Sequence, residues 1–188
     1  MSLARLLQEY QQQRELKPLC LIALSPDSLD IGELLSFCSS LLLKNEIIYF
    51  IDLKMKILPE DLLQVKHFSK QDFLKHFIII KPSSPLLFEK ILFLLSIPVG
   101  IPQSITVIVS SLVLFKSGFL FRGFSLDYRY ILALMRKVTS SGKKVLIFLE
   151  TRNPDPEKNV LLGEIKRYTD LFLFLPLGEF DFTTSENS

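Results

Sequence analysis

Strands alternating with helices along the chain predict an α/β domain with a mainly parallel central sheet and helices on both faces. Three observations carry this expectation. Short apolar runs (LCLIAL at 19–24, EIIYFIDL at 46–53, KKVLIFL at 143–149) are nearly continuous in hydrophobicity, as in strands covered on both sides. Between them lie segments with apolar residues at helical spacing, such as Ile31, Leu34, Leu35, Cys38, Leu41 and Leu42. At 188 residues and 48% hydrophobic, the chain is long enough for one full core and predicts one domain.

In order, residues 2–16 predict a helix with Leu3, Leu6, Leu7 and Tyr10 on one face and Ser2 as its N-cap. It either docks on the domain or serves as a handle for a partner. A strand over 19–24 follows, then a turn through Ser25, Pro26, Asp27 and Ser28, then a helix from about Asp30. The second strand spans 46–53. Segments 59–67 and 69–76 predict short helices, the latter with Ser69 and Asp72 in a capping-box pattern. A third strand covers 77–80. Ser84 caps a helix running from Pro85 to about Ile97, and 105–109 is a β-branched fourth strand. Residues 110–125 predict a loop containing Gly118 and Gly123. A helix then runs from Ser125 or Leu126 to about Ser141, stopped by Gly142. A fifth strand at 143–149, a loop at 151–159, a short helix at 160–168 and a sixth strand at 171–175 complete the core. The boundaries expected are an N-terminal helix at 1–17, the core domain at 18–176, and an acidic disordered tail at 177–188.

The overall charge of +2 is unremarkable, but its distribution is uneven. Between Lys116 and Arg152 lie eight basic residues against two acids, Asp127 and Glu150. Cys20 and Cys38 sit in apolar settings and predict buried thiols rather than a disulfide or metal pair. Ile91 to Phe115 is free of charge for 25 residues, the length of a membrane span. Pro98 and Pro102 break it in the middle, so it predicts a helix end, a loop and a buried strand. The polar, Gln-rich start carries no secretion signal, and the expected location is cytoplasmic, or nuclear in a eukaryote.

Strand, eight-residue turn and helix over 19–43 make the frame of a phosphate-binding loop. Such a loop reads G-x-x-x-x-G-K-[ST], with glycines for close backbone approach and a lysine to meet phosphate. Aligned on the strand end, Ser25 and Asp30 fall at the glycines, Ile31 at the lysine and Gly32 at the hydroxyl residue. The frame is present and its chemistry is missing.

Further phrases follow in an order that resembles the ATPase core of RecA/RadA-type recombinases and their paralogues. Tyr49-Phe50-Ile51-Asp52-Leu53-Lys54 resembles the family's Y-I-D-T-E strand, and Pro59-Glu60-Asp61-Leu62 its P-E-R-L segment. Val107-Ile108-Val109-Ser110-Ser111-Leu112 resembles a strand ending Asp-Ser-Leu, followed by a loop with Phe and Arg and a helix opening near L-x-x-R, here Leu126-Asp127-Tyr128-Arg129. Residues 145–150 stand where the family has the strand before its second DNA loop, and Thr169-Asp170-Leu171 resembles its last strand entry. The likeness covers residues 19–175 and implies a single RecA-like domain.

Departures from the family bear on activity. Besides Ile31 and Gly32, Lys54 replaces the acid that orients the attacking water, and Ser110 replaces the aspartate that helps hold the metal. Phosphoryl transfer is mostly positioning and electrostatic stabilisation by such groups. The resemblance therefore implies a protein that is not an enzyme and holds no cofactor. Its implied partners are DNA, single- or double-stranded, and a recombinase or another RecA-fold subunit; no membrane is expected. The family's DNA-facing loops correspond to residues 115–124 and 151–159. The candidate nucleic-acid-binding residues are accordingly Lys116, Arg122, Arg129, Arg152 and Lys158. Phe115, Phe119, Phe121 and Phe124 form a base-stacking surface, a partner patch, or a hydrophobic loop that covers the sheet edge as part of the core.

Other constellations are weaker. His67 and His76 have no acid or thiol at metal-ligand spacing. No G-x-S-x-G elbow is present, and no histidine follows Ser110 to complete a hydrolase triad. Asp52 and Glu150, expected to end neighbouring strands, could form a carboxylate pair. Three functions follow as alternatives: an accessory factor of DNA recombination and repair, a structural subunit of a RecA-fold assembly comparable to Elongator's, or an unrelated α/β enzyme built on Asp52 or Glu150.

Overall fold

A computed structural model describes residues 2–54, 57, 61–62, 75–115 and 118–175. Its elements are α1 (Leu3–Gln13), β1 (Leu19–Leu24), α2 (Ile31–Leu42), β2 (Ile47–Asp52), β3 (Phe77–Ile80), α3 (Pro85–Leu95), β4 (Ile105–Phe115), β5 (Gly118–Phe121), β6 (Phe124–Leu126), α4 (Tyr128–Ser140), β7 (Lys144–Glu150), α5 (Val160–Lys166) and β8 (Leu171–Phe174). Most of the expected helices 59–67 and 69–76, with His67, and the expected tail lie outside the described residues. Of those helices, residues 61–62 and 75–76 are helical.

The sheet runs β3-β2-β4-β7-β1-β8, and every pairing along that path is parallel. Successive side chains of a strand point to opposite faces, so each apolar strand feeds two cores. On β1, Leu19, Leu21 and Ala23 join α3, α4 and α5 in one core. Cys20, Ile22 and Leu24 join α1 and α2 in the other. On β7, Val145, Ile147 and Leu149 take the first side, Leu146 and Phe148 the second. This double covering is why the strands read as unbroken apolar runs. Both cysteines are buried free thiols, and burial pushes them well above the ordinary thiol range. They are therefore unreactive in the native fold.

Every described helix begins on a side-chain cap: Ser2, Asp30, Ser84, Asp127 and Asn159 accept from N–H groups of the first turn. Each such cap contributes about 1 kcal/mol to stability. Pro85 opens α3, where its missing N–H costs nothing. Gly142 closes α4 at φ +86°, a left-handed conformation favourable only without a Cβ.

Helix α1 docks. Its Leu3, Leu6, Leu7 and Tyr10 are buried in the second core, with Tyr10 against Phe37 at 5.9 Å between ring centroids. Arg14, its C-cap, makes a bidentate pair with Glu46, Nη1 lying 2.8 Å from Oε2 and Nη2 bonded to Oε1. Thr106 donates to the same carboxylate at 3.0 Å. All three residues are buried. Arg14 thus ties α1 to the starts of β2 and β4.

The expected loop at 110–125 is instead ordered structure. β4 continues to Phe115 and is followed by two antiparallel hairpin partners, β5 on β4 and β6 on β5. The β5–β6 turn places Arg122 at φ 49° and Gly123 at φ 83°, the two positive angles of a type I′ hairpin turn. Only glycine fits at 118, because a Cβ there would stand 2.4 Å from the Leu126 carbonyl oxygen. Among the described residues no helix is long and apolar enough to cross a membrane.

Candidate functional site

In an open parallel sheet, ligands bind beyond the carboxyl ends of the strands. On this edge lie Leu24, Asp52 and Glu150, which end β1, β2 and β7, with the turns that follow, and Ser110 of β4, which pairs with Asp52. The turn after β1 is closed by its own groups. Ser28 bonds the Ser25 carbonyl through its N–H at 3.2 Å and its Oγ at 2.6 Å, and Asp27 sits at φ 59°. Asp30 Oδ1 accepts the Glu33 N–H at 2.9 Å, and Glu33 Oε2 accepts the Ala4 N–H of α1 at 3.0 Å. A helix N-terminus offers N–H groups and a positive dipole end to an anion. Here the Asp30 carboxylate already takes an N–H of that end, while the Glu33 carboxylate is turned to α1. Ile31 is half-buried against the second core, and a Cβ on Gly32 would stand 3.2 Å from Asp30 Oδ1.

The strand ends beside this turn carry buried carboxylates. Asp52, 1% exposed, accepts the Ile57 N–H at 3.1 Å and faces Lys81 Nζ at 3.7 Å. Lys81 in turn donates to the Ile57 carbonyl at 2.8 Å. Glu150, also 1% exposed, is ion-paired with Lys54. Asp52 and Glu150 do not end neighbouring strands as the sequence suggests. β4 lies between β2 and β7, and each carboxylate has a lysine partner. Lys54, at the position of the expected water-orienting acid, contributes a cation to one of these pairs.

β4 is irregular at the corresponding place. Its register on β7 advances three residues, Val109 to Leu112, while β7 advances two, Ile147 to Leu149, which makes a bulge at Ser110 and Ser111. Both serines are buried, with their hydroxyls 3.5 Å apart, and the Ser110 carbonyl accepts the Leu53 N–H at 2.6 Å. Among the described residues no group of three or more His, Cys, Asp or Glu could hold a metal ion.

The candidate cations are dispersed over several elements. Arg122 donates to the Ser83 carbonyl at 3.3 Å and lies 5.8 Å from the centroid of Phe121. Arg129 bonds the Tyr128 hydroxyl at 3.0 Å and faces Glu164 at 3.9 Å, beside a cleft of about 450 Å³ lined by residues 125–129, Leu161 and Glu164. Lys158 pairs with Asp155 at 3.5 Å, and Arg152 is exposed in the loop after β7. Lys116 lies outside the described residues. The aromatic set divides. Phe119 and Phe121 are buried, packed against Tyr128 and Phe88, and cannot meet a partner in this fold. Phe115 and Phe124 are exposed at 47% and 63%.

Three other cations of the basic segment serve the fold. Arg136 pairs with Asp170 at 2.5 Å. Lys143 donates to the Ile97 carbonyl at 2.8 Å, and Lys144 pairs with Glu15 at 2.5 Å. The excess of positive charge in the sequence is therefore not one basic face.

Two solved structures match the fold. The RadB recombinase matches with a TM-score of 0.58 and 13% identity over 84% of this chain and 74% of its own. A DnaB-like replicative helicase, in a structure describing its interactions with primase, matches with a TM-score of 0.52 and 13% identity over 92% of this chain and 50% of its own. The fold is RecA-like. The chain spans about half the length of that helicase. No protein-family model matches the sequence, and no curated protein matches it.

Sequence reading missed two features of this RecA-like domain. One is the Arg14–Glu46–Thr106 cluster, whose members are too far apart in the chain to suggest one another. The other is the outer face of α3, where Leu86, Leu87, Phe93 and Leu94 are exposed at 60%, 40%, 58% and 62%. The signal was available, since a helix apolar all round needs cover all round.

Proposed function

We propose that this chain is a RecA-fold protein without ATPase chemistry that serves as an accessory factor in DNA recombination or repair, binding a recombinase and DNA. One observation supports the reading above all. Groups along this edge are engaged with one another: Asp30 accepts the Glu33 N–H at the α2 N-terminus, Lys54 pairs with Glu150, and Lys81 faces Asp52. Phosphate brought to this edge meets carboxylates where it needs N–H groups and a lysine. Titration calorimetry with ATP and Mg²⁺ is expected to be flat at millimolar nucleotide. Micromolar affinity, lost on mutating the turn from Ser25 to Gly32, would refute the loss of nucleotide binding.

DNA contact on this reading runs through the loops beyond the strand ends. Arg122→Glu with Arg152→Glu is expected to weaken DNA binding and to lower its log–log salt slope by roughly 0.7–0.9 per lost phosphate contact. Lys137→Glu with Lys166→Glu, exposed at helix C-termini, should change it less. Shift assays at two salt concentrations read both. Equal losses from the two pairs would mean diffuse attraction only.

A second reading, a structural subunit of a RecA-fold hetero-oligomer, is favoured by a separate observation. Arg129 and Lys158 each face an acid of the chain itself, Glu164 and Asp155, which weakens the positive field that DNA requires. An absence of DNA binding would leave this reading ahead.

A further inference from the structure

Helix α3 packs Phe88, Leu92 and Leu95 into the first core. Its opposite side is also apolar. Leu86, Phe93 and Leu94 are more than half exposed, and Leu87 is 40% exposed. They stand at i, i+1, i+7 and i+8, the spacing of a single helix face. Ile97, Val99 and Ile101, which follow the helix end in the chain, are exposed at 49%, 53% and 37%. A cluster of large exposed apolar side chains on one helix face marks an interaction surface more often than single scattered ones do. Neither reading of the protein's function assigns this face a role.

The charge on the face narrows what covers it. Lys90 lies midway between Leu86 and Leu94, is exposed, and makes no ion pair among the described residues. A second copy of the chain docking by two-fold symmetry about the centre of this face would set Lys90 against its own counterpart, in an otherwise apolar contact. Like charges placed so cost several kcal/mol. A lipid surface calls for a helix with a basic polar face, whereas Lys90 is the one cation of α3 and Glu89 stands beside it. An amphipathic helix carrying an acidic side chain at its midpoint meets both requirements. It covers the leucines and phenylalanine with its own apolar stripe and pairs its acid with Lys90.

We propose that the outer face of α3 is a docking site for such a helix on another protein, with Lys90 selecting an acidic centre. An eleven-residue helix is roughly 16 Å long, which fits two to three turns of the partner.

The test uses the full chain and two labelled synthetic helices, identical in their leucines at i, i+3, i+4 and i+7, one with glutamate and one with lysine at the centre. Fluorescence anisotropy is expected to show the glutamate helix binding about tenfold more tightly, a difference of roughly 1.4 kcal/mol. Lys90→Glu should reverse the preference, and Leu94→Glu, at an exposed position, should abolish binding of both while leaving the thermal melt unchanged. Equal affinity for the two helices, or none for either, overturns the proposal. So does a concentration-dependent dimer in sedimentation that Leu94→Glu dissolves, which assigns the face to a second copy. Co-sedimentation with vesicles of phosphatidylserine and phosphatidylcholine, lost in Leu94→Glu, assigns it to lipid and overturns it equally.

Discussion

Val107→Asp is expected to abolish folding. Val107 is fully buried in β4, paired with Tyr49 of β2 on one side and Val145 of β7 on the other. Its side chain belongs to the core formed with α3, α4 and α5. A carboxylate there has no partner, and burying an unpaired charge costs several kcal/mol or forces protonation at a similar expense. A domain has only about 5–15 kcal/mol of stability in total. Val160→Asp is the matched control. Val160 is 84% exposed at the first position of α5, where an acid meets the positive end of the helix dipole. Circular dichroism with urea titration should show no cooperative transition for the first variant and an unchanged or slightly raised midpoint for the second. A Val107→Asp protein as stable as the parent would show that β4 is not the central strand.

Arg14→Ala should destabilise the domain by about 3–5 kcal/mol, because it leaves Glu46 buried with its ion-pair partner gone. Thr106 still donates one hydrogen bond to that carboxylate, which is less than a charge requires. Arg14→Lys should recover only part of the loss, since an ammonium cannot reproduce the two-pronged guanidinium contact. The informative variant is Arg14→Met with Glu46→Leu. Replacing both members by apolar residues of similar size removes the stranded charge, so the double variant should be more stable than Arg14→Ala. Urea denaturation of the four proteins measures each value. A double variant no more stable than Arg14→Ala would mean that the stranded Glu46 charge is not what destabilises the single variant.

The sheet was legible because its strands are covered on both faces, which leaves continuous apolar runs bounded by turn residues. β1 and β3 have the expected limits, and 105–109 is the start of β4. Helix starts were legible too, since Ser2 and Ser84 act through short-range capping that a single sequence displays. The stretch 110–125 was misread for a physical reason. β5 and β6 are too short to show alternation, and their turn carries Arg122 at a positive φ, where asparagine or glycine is the usual signal. The outer face of α3 was missed although its signal was there: apolar residues on both sides of the helix read as buried together. At the candidate site, the missing nucleotide groups could be read directly at Ile31, Gly32, Lys54 and Ser110. What replaces them could not. Lys54 finds Glu150 only because β4 brings β2 and β7 to a common edge, and no spacing in the chain encodes that meeting.

The position of β1 has a consequence for the order in which the protein can assemble. β1 is the first strand of this sheet to be synthesised, yet both of its neighbours, β7 and β8, come after residue 143. At roughly 5–20 residues per second, Leu19–Leu24 waits on the order of ten seconds with both of its edges open. During that interval a six-residue strand of apolar side chains is a template for pairing with other nascent chains. Helix α1, available early and built to cover Cys20, Ile22 and Leu24, can shield one face of the strand but neither edge. Synthesis of this protein therefore carries its greatest aggregation hazard before β7 emerges. Slower elongation lengthens the exposure, and a chaperone that holds the first strand shortens its effect.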